Sequence, residues 1–304
     1  MPELPEVEIA SRHLRSWLTG RRIVKARAER SRVIRGQTPR RFAELGGRSL
    51  ARIDRVGKWM LLSFDGGEAL LSHLGMTGKW IRRDRSEKPP PHVRATLELD
   101  DGHAVDYRDP RLFGRLVRIK LEQLRDSPPL RALGPDPLGG IDVDRLHTFL
   151  SRTKRSLKEA LMDQRTLAGL GNIYVSESLH RAGLAPQRAG VSLSRDETER
   201  LAGAIGQSLR DALDAEDSPE PITYVEEGGE NRFLVYDREG QPCATCATPI
   251  RRMVQGGRST YFCPTCQPSP KARAGGKRPP LRAARGRIVP KRGSSPGLQR
   301  AKKK

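Results

Sequence analysis

Met1-Pro2-Glu3-Leu4-Pro5-Glu6-Val7-Glu8 opens the chain, and the chemistry of this stretch organises the rest of the molecule. A small second residue permits removal of the initiator methionine, which leaves the secondary amine of Pro2 as the free terminus. An α-amino group titrates near about 7.7 to 8.0, against ~10.4 for a lysine amine, so a useful share is uncharged close to neutrality. Attack of such an amine on an aldehyde-like carbon gives a cationic iminium, the covalent strategy of a lysine Schiff base. Glu3 is placed to give a proton to an opening sugar ring, or to take one in an elimination. Beyond this pair Val7, Ala10, Leu14, Trp17 and Leu18 recur at helical spacing, and Gly20 stops the run. The helix holds Pro2 and Glu3 at its N-terminal side, and Pro5 suits its first turn, where a missing amide costs nothing. Glu6 is either a second acid of the site or a partner for the helix N-terminus.

After this helix the apolar pattern changes to the alternation of strands. Residues 23–28, 50–56, 59–64, 69–73, 93–99, 104–107 and 115–119 read as short strands, with Asp65-Gly66-Gly67 and Asp100-Asp101-Gly102 as hairpin turns. Together with the first helix they predict an α+β chain that begins as a β-sandwich of two antiparallel sheets. Pro128-Pro129, Gly134-Pro135-Asp136-Pro137 and Gly139-Gly140 mark a linker. Helices follow over residues 143–151, 156–162, 172–181 and 194–213. Asn172, after Gly169-Leu170-Gly171, is the expected N-cap of the third, its neighbouring free amides forming an anion site. The implied divisions are 1–127 for the sandwich, 128–141 for the linker, 142–232 for the helices, 233–266 for a cysteine-bearing unit and 267–304 for a tail.

Cys243-x2-Cys246 and Cys263-x2-Cys266 are separated by sixteen residues. Two such knuckles give four thiolates around one tetrahedral zinc and leave no open coordination position, so the metal is structural. Between them residues 250–254 and 260–262 alternate around Gln255-Gly256-Gly257-Arg258, a hairpin that carries Arg258 at its tip.

The formal net charge is +21, with 36% hydrophobic and 31% charged residues. Residues 267–304 hold 13 Lys and Arg and no acid, which leaves the preceding residues at +8. A basic balance in both parts favours a polyanion, nucleic acid before membrane, because no run approaches the roughly 18 apolar residues of a span. The N-terminus lacks the cationic and then apolar stretch of a signal peptide, so a cytoplasmic, nucleoid-associated location is expected. In a reducing compartment four paired cysteines read as metal ligands. The tail lacks apolar periodicity and is expected to be disordered.

The MPELPEVE run resembles the N-terminus of the formamidopyrimidine-DNA glycosylase and endonuclease VIII family, Leu4 and Val7 favouring the glycosylase branch. Similar landmarks recur in order through Cys266. The resemblance implies a helix-two-turn-helix at Leu167-Ala168-Gly169-Leu170-Gly171-Asn172-Ile173-Tyr174, followed by a zinc-finger hairpin. It implies Pro2 as nucleophile, Glu3 as its acid or base and Lys58, in Gly57-Lys58-Trp59, as a phosphate-binding lysine of the active site. Asn172 and Arg258 become further phosphate contacts. His73-Leu74-Gly75-Met76 and Asp109-Pro110-Arg111-Leu112-Phe113-Gly114 resemble the loops that fill DNA after a base is flipped. Met76 and Phe113 are then wedges and Arg111 the reader of the opposite base. Leu112 stands where relatives often carry a second basic residue, which weakens phosphate contact there.

The activity implied is that of a monomeric bifunctional DNA glycosylase and AP lyase on damaged double-stranded DNA, with one structural zinc and no nucleotide or organic cofactor. The rivals are an endonuclease VIII-like preference for oxidised pyrimidines and a non-catalytic damage-binding protein on the same scaffold; the intact Pro2-Glu3 pair argues against the latter. One segment departs from the family pattern. Residues 221–233, Pro-Ile-Thr-Tyr-Val-Glu-Glu-Gly-Gly-Glu-Asn-Arg-Phe, stand where oxidised-guanine enzymes have a capping loop whose amides close over the flipped base, and are shorter than in the bacterial enzymes. Fewer amides relax the penalty that a hydrogen-bonding site imposes on the wrong base. Formamidopyrimidines and further-oxidised guanines should therefore be excised faster than 8-oxoguanine in single-turnover assays on matched duplexes, with some oxidised-pyrimidine activity. An 8-oxoguanine rate opposite cytosine that equals or exceeds all others would contradict this expectation.

Overall fold

The computed structural model describes residues 2–124, 126–215 and 231–269. The N-terminal part has α1 (Leu4–Leu18), β1 (Ile23–Ala28), β2 (Ile34–Arg35), α2 (Pro39–Ala43), β3 (Leu50–Val56), β4 (Trp59–Phe64), β5 (Glu68–His73), β6 (Lys79–Asp84), β7 (Val93–Leu99), β8 (His103–Arg108) and β9 (Arg115–Lys120). The rest holds α3 (Pro128–Arg131), α4 (Val143–Leu150), α5 (Leu157–Met162), α6 (Asn172–Arg181), α7 (Arg195–Ala215), β10 (Arg251–Gln255) and β11 (Arg258–Phe262).

The strands form two layers, one ordered β1-β7-β8-β6 and the other β2-β9-β5-β4-β3. This is the expected α+β architecture of a β-sandwich, then helices, then a hairpin. All pairings within the layers are antiparallel except the short β2-β9 bridge, which is parallel. β4 is buried along its whole length because both of its faces are covered. Met60, Leu62 and Phe64 enter the core between the sheets with Leu14, Leu18, Leu70, Leu97 and Tyr107. Trp59 and Leu61 face the other way and pack with Leu71, Leu124, Leu130 and Leu133. The stretch read as a linker therefore covers a sheet face and contains the short helix α3.

Besides α3 and the two-residue β2, two further elements escaped the strand and helix patterns. β6 reads Lys79-Trp80-Ile81-Arg82-Arg83-Asp84, and its charges hide the alternation, yet Trp80 is buried edge-on to Tyr107 with ring centroids 5.0 Å apart. α2 is five residues long and buries only Phe42, too little for a period to register; Thr38 caps it by accepting from Arg41 N–H at 3.2 Å.

α1 joins the two halves. Val7, Leu14 and Leu18 belong to the sandwich core, whereas Leu4 belongs to the helical core with Leu157, Leu161, Leu170, Val175, Ile205 and Leu209. Two helices of that core, α4 and α7, start at side-chain caps: Asp142 accepts from Arg145 N–H at 3.0 Å, and Ser194 and Glu197 bond each other reciprocally. At the C-terminal end β10 and β11 pair with Gln255 opposite Arg258, so Gly256 and Gly257 form the two-residue turn and Arg258 is the first residue beyond it. Both glycines have positive φ, 53° and 73°, as a primed hairpin turn demands.

The capping-loop expectation rests mostly on residues 221–230 and the disordered-tail expectation mostly on 270–304; both stretches lie outside the described residues. Among the described residues, no helix is long and apolar enough to cross a membrane.

Candidate active site

Pro2 and Glu3 are buried. Glu3 N–H donates to Glu6 Oε2 at 2.7 Å, and Leu4 N–H to Gly169 O at 3.1 Å, so the first residues of the chain are fixed before α1 begins. Pro5 occupies the first helical turn, as expected. The Glu3 carboxyl reaches across to α6, where its oxygens accept the amides of Ile173 at 2.9 Å and Tyr174 at 3.2 Å. These amides lie in the first turn of a helix and have no partner within it.

This arrangement corrects the reading of Asn172. The N-cap of α6 is Gly171, without a side-chain cap, and Asn172 is the first helical residue. The anion site foreseen there exists, but Glu3 of the same chain fills it. Gly171 is required by the crowding: a β-carbon there would lie 2.4 Å from Glu3 Oε1 and 2.6 Å from Lys58 Nζ. The same figures show that the Glu3 carboxyl and the Lys58 ammonium converge on one point. Asn172 Nδ2 donates instead to Ser259 O at 2.9 Å, tying α6 to the hairpin beside Arg258.

Burial holds the Lys58 amine below its ordinary range; Glu3 and Glu6 oppose that shift and Arg258 adds to it. Arg258 is exposed, yet close enough to disfavour charge on Lys58 and on Lys158 alike. His73 is pushed down to about 4 by burial, Lys58 and Arg115, and its Nδ1 accepts Gly75 N–H at 2.9 Å, so it is neutral near pH 7.

Three groups of this site were missed or left open by sequence. Lys158 is fully buried, donates to Asn172 O at 2.7 Å and Ser176 Oγ at 2.6 Å, and is pushed down to about 7 by burial. Its position between Leu157 and the apolar Ala160 and Leu161 was the available signal. Glu177, also buried, accepts the amides of Leu234 at 2.7 Å, Val235 at 3.0 Å and Tyr236 at 2.9 Å, anchoring the approach to the hairpin. Glu6 takes the helix N-terminus role left open for it, one oxygen holding Glu3 N–H, while its other oxygen accepts the Tyr174 hydroxyl at 2.7 Å.

The two loops expected to enter DNA are joined. Asp109 is fully buried and accepts Thr77 Oγ1 at 2.7 Å, Arg111 N–H at 3.2 Å and Gly114 N–H at 2.8 Å. Phe113 is left 51% exposed, with the Arg111 guanidinium 5.2 Å from its ring centre. Leu112, at a φ of 58°, turns back onto the sandwich core, and Met76 is half-buried.

The four cysteine sulfurs lie within 4.8 Å of one another. Cys243 and Cys266 are 3.9 Å apart, Cys246 and Cys263 3.4 Å, and Cys246 and Cys266 3.5 Å. Zinc–sulfur bonds of about 2.3 Å in a tetrahedron place sulfurs roughly 3.8 Å apart, so the donors fit one zinc and leave no ligand position for chemistry.

Three family models match consecutive parts of the chain: the formamidopyrimidine-DNA glycosylase N-terminal domain over residues 1–116, its H2TH domain over 133–220, and a zinc finger found in FPG and IleRS over 240–268. A formamidopyrimidine-DNA glycosylase from Azorhizobium caulinodans is 41% identical over 295 residues, covering 88% of this chain and all of the relative. The Thermus thermophilus relative is 39% identical over 277 residues, with 88% and 98% covered. The crystal structure of the MutM (Fpg) protein from Thermus thermophilus superposes with a TM-score of 0.76 at 37% identity, over 88% of this chain and 98% of that one. Lactococcus lactis Fpg in complex with FAPY-dG-containing DNA gives 0.80 at 28% identity, over 88% and 100%.

Burial, with Glu3 beside it, raises Glu6 from an ordinary 4.5 to about 7, against the opposing bond from Tyr174. The fold thus favours the protonated acid. That contribution to stability is complete below pH 4.5 and is lost as pH rises through 7, at about 1.4 kcal/mol for each pH unit between those limits. Carbon NMR of the Glu6 carboxyl should show a midpoint near 7, and wild type should lose stability relative to Glu6→Gln between pH 4.5 and 7. A midpoint near 4.5, with parallel stability curves, would contradict this assignment.

Proposed function

The chain belongs to the formamidopyrimidine-DNA glycosylase family, and we propose that it is a bifunctional glycosylase and AP lyase that removes oxidised purines from duplex DNA. The observation that carries this reading is the convergence of Glu3, the neighbour of Pro2 in the chain, and Lys58 on the N-terminus of α6. The relatives' names and the DNA complexes of the Lactococcus lactis protein support the substrate class.

Removal of Met1 frees the Pro2 amine, which attacks C1′ of the flipped deoxyribose as the bond to the damaged base breaks. The proton lost by the Pro2 nitrogen as it bonds C1′ passes through Glu3 to the ring oxygen, the sugar opens as an iminium on Pro2, and the departing base takes its proton from water. The iminium acidifies the C2′ proton, whose removal expels the 3′ phosphate; a second elimination expels the 5′ phosphate and leaves a one-nucleotide gap. Hydrolysis of the iminium returns the amine. Two amides fixing Glu3 and the close approach of Lys58 reduce the reorganisation these steps need.

Lys58, Asn172 and Arg258 hold phosphates. Asn172 Nδ2 has two hydrogens, so it can keep Ser259 O and still donate to a phosphate oxygen. Phe113 and Met76 fill the space the base leaves, and Arg111, stacked on Phe113, meets the orphaned partner. Zinc, held by Cys243, Cys246, Cys263 and Cys266, supplies folding energy to the hairpin that carries Arg258. The preference for formamidopyrimidines over 8-oxoguanine stands as part of this proposal, on the length of segment 221–233.

Borohydride reduction in the presence of lesion-containing duplex should trap one covalent protein–DNA adduct at Pro2, located by peptide mass spectrometry. A protein with Met1 verifiably retained should lose trapping, because a peptide nitrogen has no available lone pair. Undiminished excision and strand cleavage by that form would refute Pro2 as the nucleophile.

A further inference from the structure

Gly134-Pro135-Asp136-Pro137, punctuation in the sequence, is fastened on two sides in the fold. Gly134 N–H donates to Gln164 O at 2.8 Å and Pro135 O accepts Ala168 N–H at 2.9 Å, which binds the segment to the loop leading into α6. On the opposite side the Asp136 carboxyl takes Arg55 Nη2 at 2.9 Å, Arg55 Nη1, and Gly57 N–H at 2.8 Å. Arg55 gives two further hydrogens to Glu8 of α1, Nε at 2.8 Å, and to Gly57 O, Nη1 at 2.9 Å. The guanidinium side chain is only 7% exposed, so its charge depends on these partners and not on water.

The turn Gly57-Lys58 is therefore gripped through both polar groups of Gly57. It also lies directly on the loop before α6: a β-carbon on Gly57 would be 3.0 Å from that of Ala168 and 3.1 Å from Gly169 N. An ion pair serving only to staple two parts of the chain would need Arg55 alone. The bond to the Gly57 amide is specific to the turn, and the next residue is Lys58.

We propose that Asp136 is a positioning residue: its paired bonds to Arg55 and its bond to Gly57 N–H press the Gly57-Lys58 turn against the Ala168–Gly171 loop and so set where the Lys58 ammonium stands relative to Glu3. This deepens the proposed function, because it rests on Lys58 acting in the site. Arg55 has to be an arginine here, since only its planar fork can meet Asp136 with two nitrogens while a third reaches Glu8. Displacement of a catalytic group by about 1 Å costs up to a hundredfold in rate, while ground-state affinity, spread over many phosphates, changes little.

The test compares wild type, Asp136→Asn, Lys58→Met and the double variant, with Arg55→Lys as a second way to open the clasp if Asp136→Asn fails to fold. Single-turnover cleavage of lesion duplex and affinity for a duplex with an uncleavable tetrahydrofuran abasic analogue are measured. Asp136→Asn should lower the rate about ten- to a hundredfold with affinity nearly unchanged, and in the Lys58→Met background it should add less than about twofold. A wild-type rate in Asp136→Asn, or full additivity of the two substitutions, would overturn the proposal. Carbon NMR of the Lys58 side chain gives a readout independent of activity. In wild type its amine is held low by burial and by Arg258, against the opposing charges of Glu3 and Glu6, with His73 also close by. Opening the clasp should move its titration toward the ordinary lysine range, and an unmoved titration would also overturn the proposal. Failure of wild type to cleave or be trapped would instead refute the functional reading, leaving the clasp to be judged on that titration.

Discussion

Two hydrogen bonds, from the amides of Ile173 and Tyr174 to the carboxyl of Glu3, join the start of the chain to a helix 170 residues later. The first turn of any helix carries amides without internal partners, and burying them unpaired is costly. Ile173 and Tyr174 are both buried, so water does not supply the missing acceptors. Glu3 does, and in doing so it surrenders its own freedom. The stability of α6 and the placement of an acid beside Pro2 are thus one constraint. Removing the acid would damage both, and for this reason an acid-to-amide change at Glu3 reports on structure as well as chemistry.

The other contacts of the region all lock the same junction. α1 places Leu4 in one core and Leu14 in the other, Glu6 bonds both Glu3 and Tyr174, and Leu4 N–H bonds Gly169 O. From Tyr174 an edge-to-face series runs through Phe233 at 6.2 Å and Tyr236 at 5.7 Å to Tyr261 at 5.2 Å, beside the zinc ligands. Geometry around Tyr174, whose amide and hydroxyl bond Glu3 and Glu6, and geometry at the four-cysteine hairpin are therefore connected by packed side chains. A structural metal can in this way influence side chains it does not touch.

Much of this was legible in the sequence because it is local. The helix over residues 172–181, the alternating strands, the hairpin turns and the four cysteines each follow from spacing within a few residues, and the structure has them. Failures came where a distant partner overrides a local signal. Asn172 is a good N-cap by type, yet Gly171 takes that place because Glu3 arrives from far along the chain to satisfy the amides. The buried Lys158 and the triple acceptor Glu177 read as ordinary helix charges until the elements around them are assembled. β6 was hidden by its own charges, and the Gly134–Pro137 segment, all turn-formers, gave no hint that Asp136 has Arg55 for a partner. Glu3 stood out in the sequence by its chemistry and Lys58 through family resemblance; that both approach Gly171 did not.

The measurement that bears most directly on this account is hydrogen exchange at the Ile173 and Tyr174 amides, in wild type and in Glu3→Ala. Because no intrahelical acceptor exists for them, their protection depends on Glu3. Both amides should exchange slowly in wild type, and Glu3→Ala should accelerate them by about two orders of magnitude or more while the middle of α6 keeps its protection. Fast exchange in wild type, or rates unchanged by Glu3→Ala, would contradict the claim that this carboxyl closes the helix and that the helix fixes the acid.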